Sequence, residues 1–180
     1  AAVFFQCCGM NSNTSKIPIS VIVVTKNEEE RIERCLSALT FFDEVWVLDS
    51  GSSDRTQEIA HAAGAKVHDF KWNGIYPKKR QCALDRLELK HDRILFVDAD
   101  EIVTPQLCNE IAALDWRCAG YFIKGLYMFQ GKLLQFGMRN NKLVLFDRKK
   151  ICFPRIDDLD IDGMGEMEGH YQPVLKAGSE

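Results

Sequence analysis

Apolar and polar positions along the chain switch between two periods. "ISVIVVT" (19–25) is a β-branched run that breaks off into polar "KNEEE", the pattern of a strand buried on both faces. "EERIERCLSAL" (29–39) then sets Ile32, Cys35, Leu36 and Leu39 on one face at helical spacing. A second strand follows in "EVWVLDS" (44–50), a helix closed by Gly64 in "RTQEIAHAAG" (55–64), and a short strand in "AKVHDF" (65–70). "KKRQCALDRLEL" (78–89) returns to the helical period and "RILFVDA" (93–99) reads as a fourth strand. "TPQLCNEIAAL" (104–114) opens with Thr104 as N-cap and Pro105 at the first helical position.

Strands alternating with helices at this spacing predict βαβ units, that is, an α/β fold with a Rossmann-like, mostly parallel sheet and helices on both faces. After Gly120 the pattern changes. "GYFIKGLYMFQGKLL" and "KLVLFDR" read as antiparallel strands around a Gln130-Gly131 turn, a small antiparallel C-terminal portion. Three segments result: a leader at 1–16, an α/β half at 17–118 and a second half at 119–180. Met10, followed by polar "NSNTS", reads as a natural start, which makes 1–9 cloning-derived or upstream sequence.

Composition narrows the classes. With 46% hydrophobic and 27% charged residues and a net charge of −3, the chain is an ordinary globular one with no global case for nucleic acid. No apolar stretch approaches the ~18 residues of a membrane span, so a cytoplasmic location is expected. Seven cysteines without a C-x-x-C pair read as small buried hydrophobes in a reducing compartment.

The chemistry gathers where strands end. In an open parallel sheet, ligands bind beyond the carboxyl ends of the strands, and three such ends here are polar: Thr25-Lys26-Asn27-Glu28, Asp49-Ser50-Gly51-Ser52-Ser53-Asp54 and Asp98-Ala99-Asp100-Glu101. Asp54 is placed to cap the following helix. Asp49 can receive a ribose hydroxyl or a base N–H, or satisfy the amides of its own loop; the local sequence serves both. Asp98 and Asp100, leaving a strand in extended geometry, would point to one side. Such a pair needs a compensating cation, and hard oxygen ligands in small number suit Mg²⁺ or Mn²⁺; a loop of solvated acids competes with that reading. Lys78, Lys79 and Arg80 open a helix whose N-terminus already favours anions. Lys78 and Lys79 read as a solvated face, and Arg80, heading the apolar side, as the one that faces the sheet edge. In "GEMEGH", Glu166, Glu168 and His170 alternate. One carboxylate backed by another can serve as a general base, or the segment is a surface acidic loop.

Taken together, "ISVIVVTKNEEERIERCLSAL", "VWVLDSGSSDRT", "KRQCAL", "ILFVDADE" and "GEMEGHYQP" resemble, in order and over most of residues 17–173, the inverting GT-A glycosyltransferases of family 2. The likeness is strongest to the small bacterial enzymes related to the β-1,4-glucosyltransferase of lipopolysaccharide core assembly. The resemblance implies a GT-A fold and a nucleotide-sugar donor, a UDP-hexose such as UDP-glucose. Thr25, Asn27 and Glu28 would line the nucleotide pocket, with Asp49 and Ser50 near the base or ribose and Arg80 near the base or diphosphate. Asp98 and Asp100 would hold the divalent metal, Asp98 also meeting the donor. Glu168, ahead of Glu166, would be the base that activates a saccharide or lipid-linked acceptor, at most in peripheral contact with the inner face of the cytoplasmic membrane.

Three departures stand out. Asp49-Ser50 replaces a common pair of acids, and Val144-Leu145-Phe146 replaces a common "RLF". A further His that related enzymes supply downstream of "EGHYQP" has no counterpart before Glu180, so the 119–180 half is expected to be cut short. The "Q-x-x-R-W" motif of processive synthases is absent, which favours transfer of one sugar. Two rivals are a metal-dependent nucleotidyltransferase, which normally carries a Gly-rich basic loop where this chain has "TKNEEE", and a non-catalytic nucleotide-sugar-binding fragment.

Overall fold

The computed structural model describes residues 15–130, 132–134, 136, 140–155 and 171–178. The expected alternation is present. β1 (Ile17–Thr25), α1 (Ile32–Ser37), β2 (Phe42–Asp49), α2 (Thr56–Ala62) and β3 (Lys66–Asp69) come first. They lead into α3 (Lys79–Arg86), β4 (Arg93–Asp98) and α4 (Pro105–Ala112). The later strands are β5 (Gly120–Gly125), β6 (Met128–Phe129), β7 (Lys132–Leu133), β8 (Asn140–Asp147), β9 (Ile151–Cys152) and β10 (Val174–Leu175).

Six strands form one sheet in the order β3-β2-β1-β4-β8-β5. The first four are mutually parallel, and β8 runs antiparallel to both β4 and β5. The α/β class, mostly parallel with an antiparallel C-terminal portion, is therefore as the sequence predicts. The antiparallel strands do not stand apart, because β8 and β5 extend the same sheet. β6 and β7 pair as a separate antiparallel ribbon, with Gln130 at φ 47° between them.

The period of two in β1 explains why it is central. Ile19, Val21 and Val23 face the core that holds Ile32, Cys35 and Leu36 of α1, Ala60 of α2 and Cys108 and Ile111 of α4. Ile22 faces the other way, with Cys82, Ala83 and Leu84 of α3, Ile94, Phe96 and Phe146. Val21, Ile22 and Val23 have no exposed surface, and burying each such side chain contributes roughly 1.5–3 kcal/mol. Helices thus cover both faces, three on one and α3 on the other.

α1 begins at Ile32, the first residue of its apolar face and three residues into the predicted segment 29–39. The preceding "NEEE" is held by the neighbouring loop: the Glu28 amide donates to the Thr56 hydroxyl at 2.8 Å and the Glu29 amide to Asp54 at 3.2 Å. At α4 the predicted cap is in place, Thr104 accepting from the Leu107 amide at 3.2 Å. β5 starts on glycine for a steric reason: a Cβ at Gly120 would meet Ile151 and Leu143 side-chain carbons at 2.9 Å. Cys35, Cys82 and Cys108 are buried thiols as expected, whereas Cys118, which the same reading would bury, is exposed.

Candidate active site

Register brings the three polar strand ends together. β1 pairs β2 through Thr25 and Asp49, and pairs β4 through Val24 and Asp98. The Ser50 amide donates to the Thr25 carbonyl at 3.0 Å and the Ala99 amide to the Val24 carbonyl at 3.2 Å, so the strand exits stay side by side as they leave the sheet. A cleft of about 260 Å³ opens there, lined by Val24, Thr25, Lys26, Glu28, Lys79, Asp98, Ala99 and Asp100. Four residues proposed from sequence, Thr25, Glu28, Asp98 and Asp100, therefore share one cavity.

The others stand around it in structural roles. Asn27 sits at φ 54°, a conformation Asn tolerates better than most residues. Its Oδ1 accepts the Ser53 amide at 2.8 Å, and its own amide donates to the Ser52 hydroxyl at 2.8 Å. It stitches the first strand's exit to the second's. Asp49 is wholly buried; its carboxylate accepts the Ser52 amide at 2.8 Å, the Ser52 hydroxyl, and the Gln57 side-chain amide at 2.6 Å. Of the two uses open to Asp49, the one seen is satisfaction of its own loop. Asp54 stands one residue before Arg55, the N-cap of α2, and accepts the Thr56 amide at 3.0 Å and the Thr56 hydroxyl, an Asx turn leading into the helix rather than the N-cap expected; those bonds hold its carboxyl below the usual range.

Two buried hydroxyls do not fit a purely structural account. Thr25 Oγ1 and Ser50 Oγ are fully enclosed and have no hydrogen-bond partner among the described residues. A buried polar group left unsatisfied costs about 1–3 kcal/mol. The two stand at the exits of β1 and β2, and Thr25 lines the cleft.

Asp98 is held between two cations. Arg80 Nη2 lies 2.9 Å from its Oδ1 and Lys142 Nζ 2.7 Å from its Oδ2. Burial by itself would raise the Asp98 carboxyl; the Arg80 charge and the Lys142 hydrogen bond outweigh it and hold it below the ordinary value. Arg80 faces the sheet edge as its place on the apolar side of α3 suggests, with its guanidinium 5.9 Å above the Phe96 ring. Lys78 is not solvated: it is buried, with Nζ 5.9 Å from the Tyr171 ring centroid. Cys35 lies beneath this corner, its thiol 3.9 Å from the Asp98 carbonyl. Burial first, and then the surrounding carboxylates, push that thiol up to about 12, where it is inert.

The extended D-x-D geometry is corrected. β4 ends at Asp98 and the chain turns at once, the Glu101 amide donating to the Asp98 carbonyl at 2.9 Å. Asp98 and Asp100 reach the same cleft by way of the turn, not as alternate positions of a strand. Asp100 is exposed and no hydrogen bond engages its side chain among the described residues. Glu101, without a role in the sequence reading, accepts Lys142 at 2.8 Å and the Asp98 amide at 3.3 Å.

Lys142 is the residue the sequence reading missed. β4 and β8 pair as Arg93 with Asp147, Ile94 with Phe146 and Leu95 with Leu145; continuing that register sets 142 opposite 98. The signal is visible only once β8 is known to pair antiparallel with β4. Glu166, Glu168 and His170 lie outside the described residues.

Among the described residues, no cluster of three or more acidic, His or Cys side chains forms a protein-only metal cage. The donor set does fit an ion that arrives with its substrate, since Mg²⁺ and Mn²⁺ are commonly held by one or two carboxylates plus phosphate and water. The disengaged Asp100 carboxylate beside Asp98 supplies that chemistry. No helix among the described residues is long and apolar enough to cross a membrane.

Residues 20–169 match the glycosyl transferase family 2 domain. An uncharacterized glycosyltransferase of Rickettsia typhi is 34% identical over 143 residues, covering 75% of this chain and 48% of its own length. A 4,4'-diaponeurosporenoate glycosyltransferase of Staphylococcus haemolyticus is 37% identical over 89 residues, covering 46% of this chain and 24% of its own. The crystal structure of Staphylococcus aureus TarS overlaps 53% of this chain and 31% of its own at 33% identity and a TM-score of 0.45, an overlap too loose to say more. The chain spans about half the length of the Rickettsia relative.

Proposed function

Since the chain belongs to glycosyl transferase family 2, we propose that it transfers one hexose from a UDP-sugar, UDP-glucose first among them, to a saccharide acceptor of cell-envelope lipopolysaccharide, with inversion and with a divalent metal. The observation that carries this reading is the cleft at the strand exits, where Thr25, Glu28, Asp98 and Asp100 meet below Arg80. A nucleoside diphosphate needs hydroxyl and carboxylate partners for its base and ribose and cations for its phosphates; this cleft offers both within one cavity.

The enclosed hydroxyls of Thr25 and Ser50, without a partner among the described residues, are assigned to the nucleoside, which reaches them once the loops around them shift. Glu28 borders the same wall, while Asn27 and Asp49 hold the two loops that form it. Arg80 supplies positive charge toward the diphosphate. Asp100, with Asp98 beside it, would hold Mg²⁺ or Mn²⁺, whose contribution when bound is to stabilise the charge of the departing nucleoside diphosphate. Glu168, backed by Glu166, takes the proton of the acceptor hydroxyl as that oxygen attacks the anomeric carbon from the face opposite the leaving group. A single displacement inverts the stereochemistry and needs no covalent nucleophile. The work is done on the cytoplasmic side of the membrane, where nucleotide sugars are available.

The test is a panel of UDP- and GDP-sugars with Mn²⁺, read by thermal shift and by nucleoside diphosphate released in the presence of core saccharide acceptors. Stabilisation by UDP-glucose with release of UDP is the expected result. Stabilisation by a nucleoside triphosphate with release of pyrophosphate would sink the reading. Binding of the donor without transfer to any acceptor would make the chain a nucleotide-sugar-binding module.

A further inference from the structure

Lys142 stands between two acids that the donor reading treats differently. Its Nζ is 2.7 Å from Asp98 Oδ2 and 2.8 Å from Glu101 Oε1, and Arg80 Nη2 takes the other Asp98 oxygen at 2.9 Å. The three side chains that meet at Asp98 are mostly shielded: Lys142 is 28% exposed, Asp98 34% and Arg80 22%. Both Asp98 oxygens therefore already face a cation. Among the described residues, Asp98 and Glu101 are paired with Arg80 and Lys142, and Lys26 and Lys79 line the same cleft as Asp100. That leaves little excess negative charge to attract a bare divalent ion.

We propose that Lys142 is an internal counter-ion that makes divalent-metal binding depend on the nucleoside diphosphate. This rests on the donor-site reading above. A metal that engages Asp98 must displace an ammonium from one of its oxygens, and in a partly desolvated corner that loss is poorly repaid by water. A diphosphate changes the balance, because its oxygens offer the displaced ammonium and the Arg80 guanidinium new anionic partners. Metal and nucleotide then favour each other's binding, and by linkage the coupling is the same in both directions. β8 is well placed for this, since it enters beside β4 from the opposite direction and brings a long flexible cation to the point where β4 leaves the sheet.

The experiment measures Mn²⁺ binding to the full chain by the loss of the free-ion electron paramagnetic resonance signal, with and without saturating UDP, in wild type, Lys142→Met and Lys142→Arg. In wild type, UDP is expected to tighten Mn²⁺ binding roughly fivefold or more, the lower end of ordinary coupling. Lys142→Met is expected to bind bare Mn²⁺ several-fold more tightly and to lose most of the UDP effect, and Lys142→Arg to keep it. A Lys142→Met protein with wild-type coupling overturns the proposal. So does one in which Mn²⁺ binding weakens equally with and without UDP, which would make Lys142 a positioning residue for the acids. Should Lys142→Met not fold, Lys142→Gln carries the same expectations. A wild-type chain that binds neither Mn²⁺ nor UDP overturns the donor-site reading itself, and the two failures are thereby distinguished.

Discussion

The Gln57 side-chain amide donates to Asp49 at 2.6 Å, tying the first turn of α2 to the last residue of β2. Together with the Ser52 amide at 2.8 Å, this makes Asp49 the internal support of the "DSGSSD" loop. Asp49→Ala strips a buried acceptor from the half-buried donors Ser52 and Gln57 and is expected to cost about 2–4 kcal/mol in urea unfolding. Asp49→Asn, which keeps one acceptor oxygen, is expected to cost less. A loss under about 0.5 kcal/mol for the alanine variant would show that the loop stands without it.

Thr25 makes the opposite prediction. Its enclosed hydroxyl has no partner among the described residues, so Thr25→Val is expected to leave the free protein as stable as wild type or up to about 1 kcal/mol more stable. UDP-sugar affinity is expected to fall several-fold in the same variant. Weakened stability with unchanged affinity would assign the hydroxyl to the fold.

Asp98 gives a pH dependence whose sign is fixed by its partners. Arg80 and Lys142 hold its folded-state carboxyl below the ordinary value of 3.8. The stability it contributes is therefore present above that value and is lost as pH falls through the folded one. Lys142 is raised above 10.5, because its bonds to Asp98 and Glu101 outweigh the effect of burial. Its share is present below 10.5 and is lost as pH rises through the folded value. Melting temperatures of wild type and Asp98→Asn are expected to differ most near neutrality and to converge as pH falls below 3.8 through the lowered folded-state value. A gap that widens on acidification would contradict the ion-pair account.

Asp100 separates binding from folding. Its side chain is exposed, so Asp100→Ala is expected to change stability by no more than about 0.5 kcal/mol without metal. UDP-sugar affinity in the presence of Mn²⁺ is expected to drop at least tenfold in titration calorimetry, a loss of about 1.4 kcal/mol or more. Unchanged affinity would remove Asp100 from the metal site.

Glu168→Gln preserves shape and removes the proposed base. Donor binding is expected to persist while transfer falls by about 10²–10⁴-fold, the ordinary range for a lost general base. A fully active variant would move the role to Glu166 or elsewhere.

The parallel half was legible because its elements are local. A β-branched run such as "ISVIVVT" and a capped start such as Thr104-Pro105 each carry their own evidence, and convergence of the exits at Thr25, Asp49 and Asp98 follows from parallelism. Arg80 was legible for the same reason, since helical phase alone points it at the sheet. What eluded the sequence was pairwise and distant. The buried state of Lys78 depends on Tyr171, and the role of Lys142 depends on an antiparallel register with a strand 44 residues earlier. The turn after Asp98 was missed because D-x-D at a strand end reads equally as extended chain, and the Glu101 amide bond that bends it leaves no mark on composition.

β8 carries Leu145 into one hydrophobic cluster and Phe146 into the other, while standing between β4 and the edge strand β5. The segment that donates it is joined to the parallel strands along β4 and packs into the clusters on both faces of the sheet. Hybrid enzymes built by exchanging everything after residue 118 for a sister sequence would therefore replace an interior strand and a cleft cation along with the intended acceptor region. A crossover placed beyond Phe153 keeps both, and is where swaps of acceptor preference should be attempted.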